Sequence, residues 1–183
     1  MSRNTRSAAL PGERTRRQAA GGLIVAIGAL AAATRLWGRT GAPPAEVGPG
    51  TPALDPRTSL HQEVELRAAP RRIYDLLLDS AGFAAFSHMP AQIDPSPGGA
   101  FSMFDGMIVG RNVELTPARR IVQAWRPTHW DPGVYSIVKF DLSSTPAGTR
   151  VVLDHTGFPQ GEFDSLSSGW KAHYWDRLTA FLG

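Results

Sequence analysis

The stretch GGAFSMFDGMIVGRNVELTPARRIVQAWR, residues 98–126, decides the fold of this chain. Its apolar residues form three strand-like runs with turn signals between them. Asp105 and Gly106 form a dipeptide that is typical of a two-residue hairpin turn, where positive φ is needed. Pro117 ends the second run because proline cannot donate to a strand ladder, and the third run covers residues 119–126. The stretch therefore predicts an antiparallel meander.

The segment before the meander predicts one strand and two short helices. The side chains of residues 61–67 alternate between two faces of a strand. One face carries the charged side chains and the other does not, which is typical of a half-buried strand. Pro70 fits the first turn of a helix that runs to about Asp79, because no hydrogen bond is needed from the first helical N–H. Residues 82–86 favour a second short helix.

The segment after the meander predicts two more strands and a long final helix. Residues 135–142 alternate as a half-buried strand, and the next strand places Val151, Leu153 and His155 on one face. The final helix carries large apolar residues at steps of three and four, which predicts one buried stripe. The stripe consists of Phe163, Leu166, Trp170, Tyr174, Leu178 and Phe181.

Three further motifs accompany the meander: WDPGVYSIVKFDL (residues 130–142), GTRVVLDHTGFP (148–159) and GWKAHYWDRLTAFL (169–182). In this order, the motifs resemble the C-terminal domain of the activator of the heat-shock protein 90 ATPase and its bacterial relatives, which belong to the START-like or SRPBCC superfamily. The resemblance runs from Leu60 to the C-terminus. It implies an α+β helix-grip fold, in which a curved antiparallel sheet wraps around a long C-terminal α-helix and one or two short helices follow the first strand.

The resemblance also implies a binding site, because many members of the superfamily hold an apolar ligand between helix and sheet. For this chain it implies a small apolar or amphipathic ligand. A row of aromatic residues at helical spacing is more often a plain core than the lining of a ligand site, and the resemblance brings the two interpretations close to equal weight, so both stay open. The candidate lining residues are Phe83, Phe86, Phe101, Trp125, His155, Trp170 and Tyr174.

Two other functions stay open. The family name implies a co-chaperone-like module that binds a protein partner, and the cyclases and hydrolases of the wider superfamily imply an enzyme that uses the same cavity. Asp154 and His155 cannot form an acid–base pair, because neighbours on a strand point to opposite faces. We predict no catalytic residue, no cofactor and no metal site, since the five histidines show no HxxxH or HxxE spacing.

Composition limits the function classes further. The chain has 183 residues, of which 42% are hydrophobic, and contains no cysteine, which excludes disulfides and thiolate chemistry. Residues 1–58 hold eight arginines and three acidic residues, a net charge of +5. Residues 59–183 carry a net charge of −2, so the predicted domain has no nucleic-acid footprint.

The basic leader predicts an export signal over residues 1–33. Five arginines precede an apolar or glycine run of 15 residues at positions 19–33, and small residues stand ahead of Thr34. Arg16 and Arg17 resemble the twin-arginine motif, although alanine follows where that motif usually has large apolar residues. We therefore expect the domain to lie in the periplasm or cell envelope.

An uncleaved membrane anchor over residues 19–37 is the alternative to a cleaved signal. The apolar run is shorter than the roughly 18 to 20 residues that span a bilayer, and Arg35 stops its extension. Membrane contact is expected only through this segment. Residues 34–58 are rich in proline and glycine and predict a flexible or polyproline-like linker, and residues 59–183 form the START-like domain.

Overall fold

Seven antiparallel strands form one curved sheet in the computed structural model of the protein, which describes residues 53–183. The strands are β1 (Ser59–Leu66), β2 (Gln92–Ile93), β3 (Ala100–Met103), β4 (Ile108–Thr116), β5 (Arg120–Pro127), β6 (Ser136–Thr145) and β7 (Gly148–Thr156). Their order across the sheet is β1-β7-β6-β5-β4-β3-β2. The first strand therefore pairs with the last, and the meander forms the other half of the sheet.

Two short helices and a long C-terminal helix pack against this sheet. The short helices are α1 (Pro70–Leu78) and α2 (Ser80–Ser87). The C-terminal helix consists of α3 (Phe163–Trp170), a π-helical segment (Lys171–Trp175) and α4 (Asp176–Leu182). This architecture confirms the α+β helix-grip fold that the sequence predicts.

The short helices form where the local sequence favours them. Pro70 occupies the first helical position of α1, after Ala69 in an extended conformation. Asp79 then caps α2, because its carboxylate accepts a hydrogen bond of 2.6 Å from the N–H of Gly82. Both predicted helices are confirmed, and they bury Ile73 and Phe83 in the core.

The predicted strand faces are also confirmed. In β6 the side chains of Ser136, Val138 and Phe140 are buried, whereas Ile137 is exposed. The neighbouring strand β7 buries Val151, Leu153 and His155. Successive side chains of a strand point to opposite faces, so the face that carries the apolar residues packs against the core.

The two-residue turn predicted between β3 and β4 is wrong. Met103 pairs with Ile108, so four residues, 104–107, connect the strands. Asp105 and Gly106 have the expected positive φ values of 55° and 84°, but Phe104 also has a φ of 53°. A bulky residue rarely adopts this conformation, and the Phe104 ring is buried in the core. Burial of this ring favours the longer loop.

The C-terminal helix departs from regular geometry at its centre. The π-helical segment inserts one extra residue, which allows Tyr174 and Trp175 both to be buried. Gln62 of β1 bridges this segment: its amide N–H donates to the carbonyl of Ser167 at 3.1 Å, and its oxygen accepts from Trp175 Nε1 at 2.6 Å. The prediction that Phe181 joins the buried stripe is wrong, because its side chain is 40% exposed.

Residues 53–58 precede β1 without helix or strand and contact the domain. The Arg57 guanidinium lies 3.5 Å above the Phe163 ring and forms an ion pair with Asp55. Within residues 53–183, no helix combines the length and apolar character needed to cross a bilayer. The predicted signal, the alternative anchor and residues 34–52 of the predicted linker lie outside the described residues.

Candidate functional site

A groove of about 460 Å³ opens between the C-terminal helix, the 104–107 loop and the end of β5. Its wall on the sheet side is formed by the loop, the start of β4 and β5, and its opposite wall by α3 and the π-helical segment. The lining residues are Phe104, Met107, Ile108, Trp125, Pro127, His129, Glu162, Ser165, Leu166, Ser168, Gly169, Trp170, Ala172, His173 and Tyr174. Most of this lining is apolar, as in sites for small molecules.

Three aromatic side chains form the floor of the groove. Trp125, Trp170 and Tyr174 are each no more than 4% exposed. The Trp125 and Trp170 rings stack with centroids 5.6 Å apart, and the Tyr174 centroid lies 4.3 Å from that of Trp170. The space between helix and sheet is thus largely filled by these rings, and the groove lies above a packed core.

A hydrogen-bond chain beneath the floor fixes the Trp170 ring. Trp170 Nε1 donates to His155 Nδ1 at 3.0 Å, and His155 Nε2 lies 2.7 Å from Ser136 Oγ. Ser136 Oγ in turn donates to the backbone carbonyl of Trp125 at 3.0 Å. An indole nitrogen only donates, so His155 Nδ1 must be the acceptor and the Nε2 proton must point to Ser136. The proton positions in this chain therefore follow from the geometry.

The environment of His155 keeps its imidazole neutral. The side chain is 0% exposed, and burial lowers its pKa from 6.5 to about 3. His155, which the sequence places on the same face as Val151 and Leu153, is therefore fully buried with both ring nitrogens hydrogen-bonded. Ser136 and His155 cannot act as nucleophile and base, because the ring nitrogen facing Ser136 already carries a proton.

Polar donors at the floor are not all used. Within residues 53–183, Trp125 Nε1 is buried and has no hydrogen-bond acceptor. The Tyr174 hydroxyl donates only to the sulfur of Met103, at 3.9 Å. Burial raises the pKa of Tyr174, and the nearby Trp125 indole opposes this shift. The Trp125 N–H and the Tyr174 hydroxyl do not reach hydrogen-bond geometry.

The mouth of the groove is polar. His129 Nε2 lies 3.5 Å from a carboxylate oxygen of Glu162, the residue that precedes α3. On the other side, the His173 ring lies 6.0 Å from that of Phe104. A ligand in the groove would therefore place an apolar portion on the floor and polar groups at the rim.

The structure divides the seven predicted lining residues into two groups. Trp125, Trp170 and Tyr174 line the groove. The other four lie in the core instead: Phe83 and Phe86 pack against Tyr174 with ring centroids 5.8 and 6.3 Å away, Phe101 lies against Gly110, and His155 lies beneath Trp170.

Sequence reasoning missed the rim and loop residues of the groove. Met107 was detectable as a large apolar residue beside a turn, and its side chain is 51% exposed. Pro127, His129 and Glu162 carry no local signal, because they come together only when the end of β5 meets the start of the C-terminal helix.

The outer face of the sheet presents a different surface. Ion pairs run across three strands, with Lys139 contacting Asp141 and Asp154, while Arg150 pairs with Glu63. His61 also contacts Asp154, which raises the pKa of this histidine. Beside this ladder, Val134, Tyr135 and Ile137 form an exposed apolar patch.

Comparison with known proteins identifies similar sequences. A family model described as Activator of Hsp90 ATPase homolog 1-like protein matches residues 67–183. The Activator of 90 kDa heat shock protein ATPase homolog of Dictyostelium discoideum is 34% identical over 70% of this chain and 34% of its own length. The human homolog 1 is 26% identical over 63% of this chain and 34% of its own length. The chain thus spans about a third of the length of these curated relatives.

Solved structures resemble the domain as well. An HSP90 activator from Plasmodium falciparum matches with a TM-score of 0.66 and 25% identity, covering 69% of this chain and 97% of the other. A protein from Mesorhizobium loti matches with a TM-score of 0.57 and 19% identity, over 68% and 96% of the two chains. The second similarity concerns the fold alone.

Proposed function

Because this chain belongs to the Activator of Hsp90 ATPase homolog 1-like family, we propose that it is a binding protein whose groove holds the apolar part of a small amphipathic ligand. The observation that carries the proposal is the groove of about 460 Å³, which has apolar walls and a polar rim. Such a combination suits a ligand with an apolar body and a polar end.

The floor of the groove supports binding because it is rigid. Trp170 is fixed by its hydrogen bond to His155, and Tyr174 is packed among the rings of Phe83, Phe86 and Phe104. A floor that does not need to be ordered on binding lowers the entropic cost of holding a ligand. The same hydrogen bonds argue against catalysis by Ser136 and His155, because the protons of both side chains already have acceptors.

We further propose that the domain works outside the cytoplasm. The support is the arginine-rich segment followed by the apolar run at residues 19–33. An exported binding protein would meet amphipathic molecules of the cell envelope or the surroundings.

Gly169 offers a direct test of the groove. It lines the groove, and a Cβ placed on it meets no atom of the described residues within 4 Å. Gly169→Trp should therefore fill the groove without disturbing the core. We expect the wild-type protein to bind the neutral probe N-phenyl-1-naphthylamine and Gly169→Trp to lose this binding while it stays folded.

Two control variants accompany this test. Gly169→Ala should bind the probe normally and gain up to about 1 kcal/mol of stability, because alanine is a better helix former. Ala180→Trp places the same large side chain on an exposed part of α4 and should bind normally. Equal probe binding by Gly169→Trp and the wild type would refute the proposal.

Binding to an Hsp90-type ATPase is a second candidate function. The names of the relatives favour it, and the exposed patch of Val134, Tyr135 and Ile137 offers apolar contact area. If this function holds, the full chain should change the ATPase rate of such a chaperone. A Tyr135→Asp variant should weaken that effect, whereas Gly169→Trp should not.

A further inference from the structure

The floor of the groove contains two hydrogen-bond donors with spare capacity. The Trp125 indole N–H has no acceptor within residues 53–183, and the only partner of the Tyr174 hydroxyl proton is a thioether, which is a weak acceptor. Both residues are only 4% exposed, and both line the groove. A buried donor without an acceptor is destabilising, so these two groups favour any molecule that supplies an acceptor.

The third polar group of the floor is already satisfied, because Trp170 Nε1 donates to His155. The rings of Trp125 and Tyr174 both pack on the Trp170 ring, with centroids 5.6 and 4.3 Å from it. The two spare donors therefore belong to neighbouring side chains of the floor.

We propose that the ligand of the groove carries a neutral acceptor oxygen, such as a ketone, ester or amide carbonyl, at its buried end, and that Trp125 Nε1 and Tyr174 Oη donate to it. This inference rests on the proposed function and adds the chemical class of the ligand.

Access to these donors involves the 104–107 loop. The Phe104 ring lies 5.4 Å from the Tyr174 ring, and Phe104 has a positive φ, an uncommon conformation for a residue of its size. Since Trp125 Nε1 is covered in this structure, a covering side chain must shift when the carbonyl enters. We expect the Phe104 side chain to be the one that moves, because its backbone conformation is strained.

A pair of matched probes tests the inference. 2-Acetylnaphthalene and 2-isopropenylnaphthalene have nearly the same shape, but only the first carries an acceptor oxygen. Isothermal titration of the full chain should give at least about fivefold tighter binding of the ketone, as a hydrogen bond that satisfies buried donors implies. Tyr174→Phe should reduce this preference, and Tyr74→Phe, which removes the hydroxyl of a buried tyrosine outside the groove, should leave it unchanged.

Nuclear magnetic resonance gives a second readout. The ketone should move the indole N–H resonance of Trp125 downfield, while those of Trp170 and Trp175 stay in place because their N–H groups already have acceptors. Equal affinity for the two probes would overturn the inference and leave the proposed function standing. Failure of both probes to bind would overturn the two together.

Discussion

The indole nitrogen of Trp170 donates a hydrogen bond to His155 Nδ1 across 3.0 Å, and this contact joins the C-terminal helix to the last strand. It makes a histidine part of the aromatic core, where a neutral imidazole is the only form that fits. The stability of the domain should therefore depend on pH in a way that His155 controls.

The first prediction concerns this pH dependence. The pKa of His155 is about 3 in the folded protein and 6.5 without burial, so the unfolded chain binds more protons between these values. Stability should be full above pH 6.5 and should fall by up to about 1.4 kcal/mol per pH unit as the pH drops below it. Urea denaturation between about pH 7.5 and about pH 5.5 measures this slope, because ordinary carboxylates titrate mostly below this range.

Variants identify the group responsible. His155→Gln should be less stable at neutral pH but should lose most of the slope. His61→Gln should keep it, because the pKa of His61 is raised by Asp154 and so contributes with the opposite sign. A wild-type stability that is flat over this range would contradict the prediction.

The second prediction concerns Trp170 itself. Because its side chain is 2% exposed, Trp170→Ala should cost the roughly 3–5 kcal/mol typical of a close-packed large aromatic. Trp170→Phe keeps most of the packing but leaves His155 Nδ1 without its donor, and should cost about 1–3 kcal/mol. Chemical denaturation distinguishes the two. A cost below about 1 kcal/mol for the alanine variant would show that the ring is not part of a packed core.

The third prediction compares two glycines. Gly110 lies under the Phe101 ring and against the Ala124 carbonyl, so Gly110→Ala should clash with both and unfold or strongly destabilise the domain. Gly106 has a φ of 84° but open space around it, so Gly106→Ala should cost only about 1 kcal/mol of backbone strain. Gly106→Val should cost more, because branched side chains resist this φ. Thermal unfolding ranks the stabilities of the three variants. A smaller loss of stability for Gly110→Ala than for Gly106→Ala would contradict the close packing around Gly110.

The sheet was predictable because its signal is local. Alternation in β6 and β7 places Val138 and Leu153 inward whatever the rest of the chain does. The 104–107 loop was not predictable, since only the fit of the Phe104 ring against Tyr174 explains its positive φ. Four of the seven predicted lining residues lie away from the groove for a related reason. Sequence spacing shows which residues face inward, but not which of them lie beside empty space.

The fourth prediction concerns Gln62, whose side-chain amide both donates and accepts across the π-helical segment. Gln62→Leu should leave the buried Trp175 N–H without its acceptor and cost about 1–3 kcal/mol. Gln62→Glu keeps the acceptor and should cost less at neutral pH. Urea denaturation compares them, and equal stability of the leucine variant and the wild type would mean that the bridge does not hold the helix.

The fifth prediction concerns export. Residues 1–58 fused to a reporter that must fold before translocation should direct its export, and replacing Arg16 and Arg17 by lysine should abolish it. Replacing Arg3 and Arg6 by lysine is the matched control and should have little effect. Export that survives the Arg16 and Arg17 changes would rule out the twin-arginine route.

The π-helical segment at Lys171–Trp175 shifts the residues after it by one position relative to a regular helix that continues from the residues before it. A relative with a regular helix would align with this chain only through a gap inside the segment, and an ungapped comparison would assign Leu178 to the wrong partner. Deleting the exposed Ala172 should remove the extra residue and turn the segment into regular α-helix, so that Leu178 still faces the core while Tyr174 and Trp175 are no longer both held inward. What the extra residue supplies is therefore local: it lets two neighbouring aromatic side chains of one helix enter the same core.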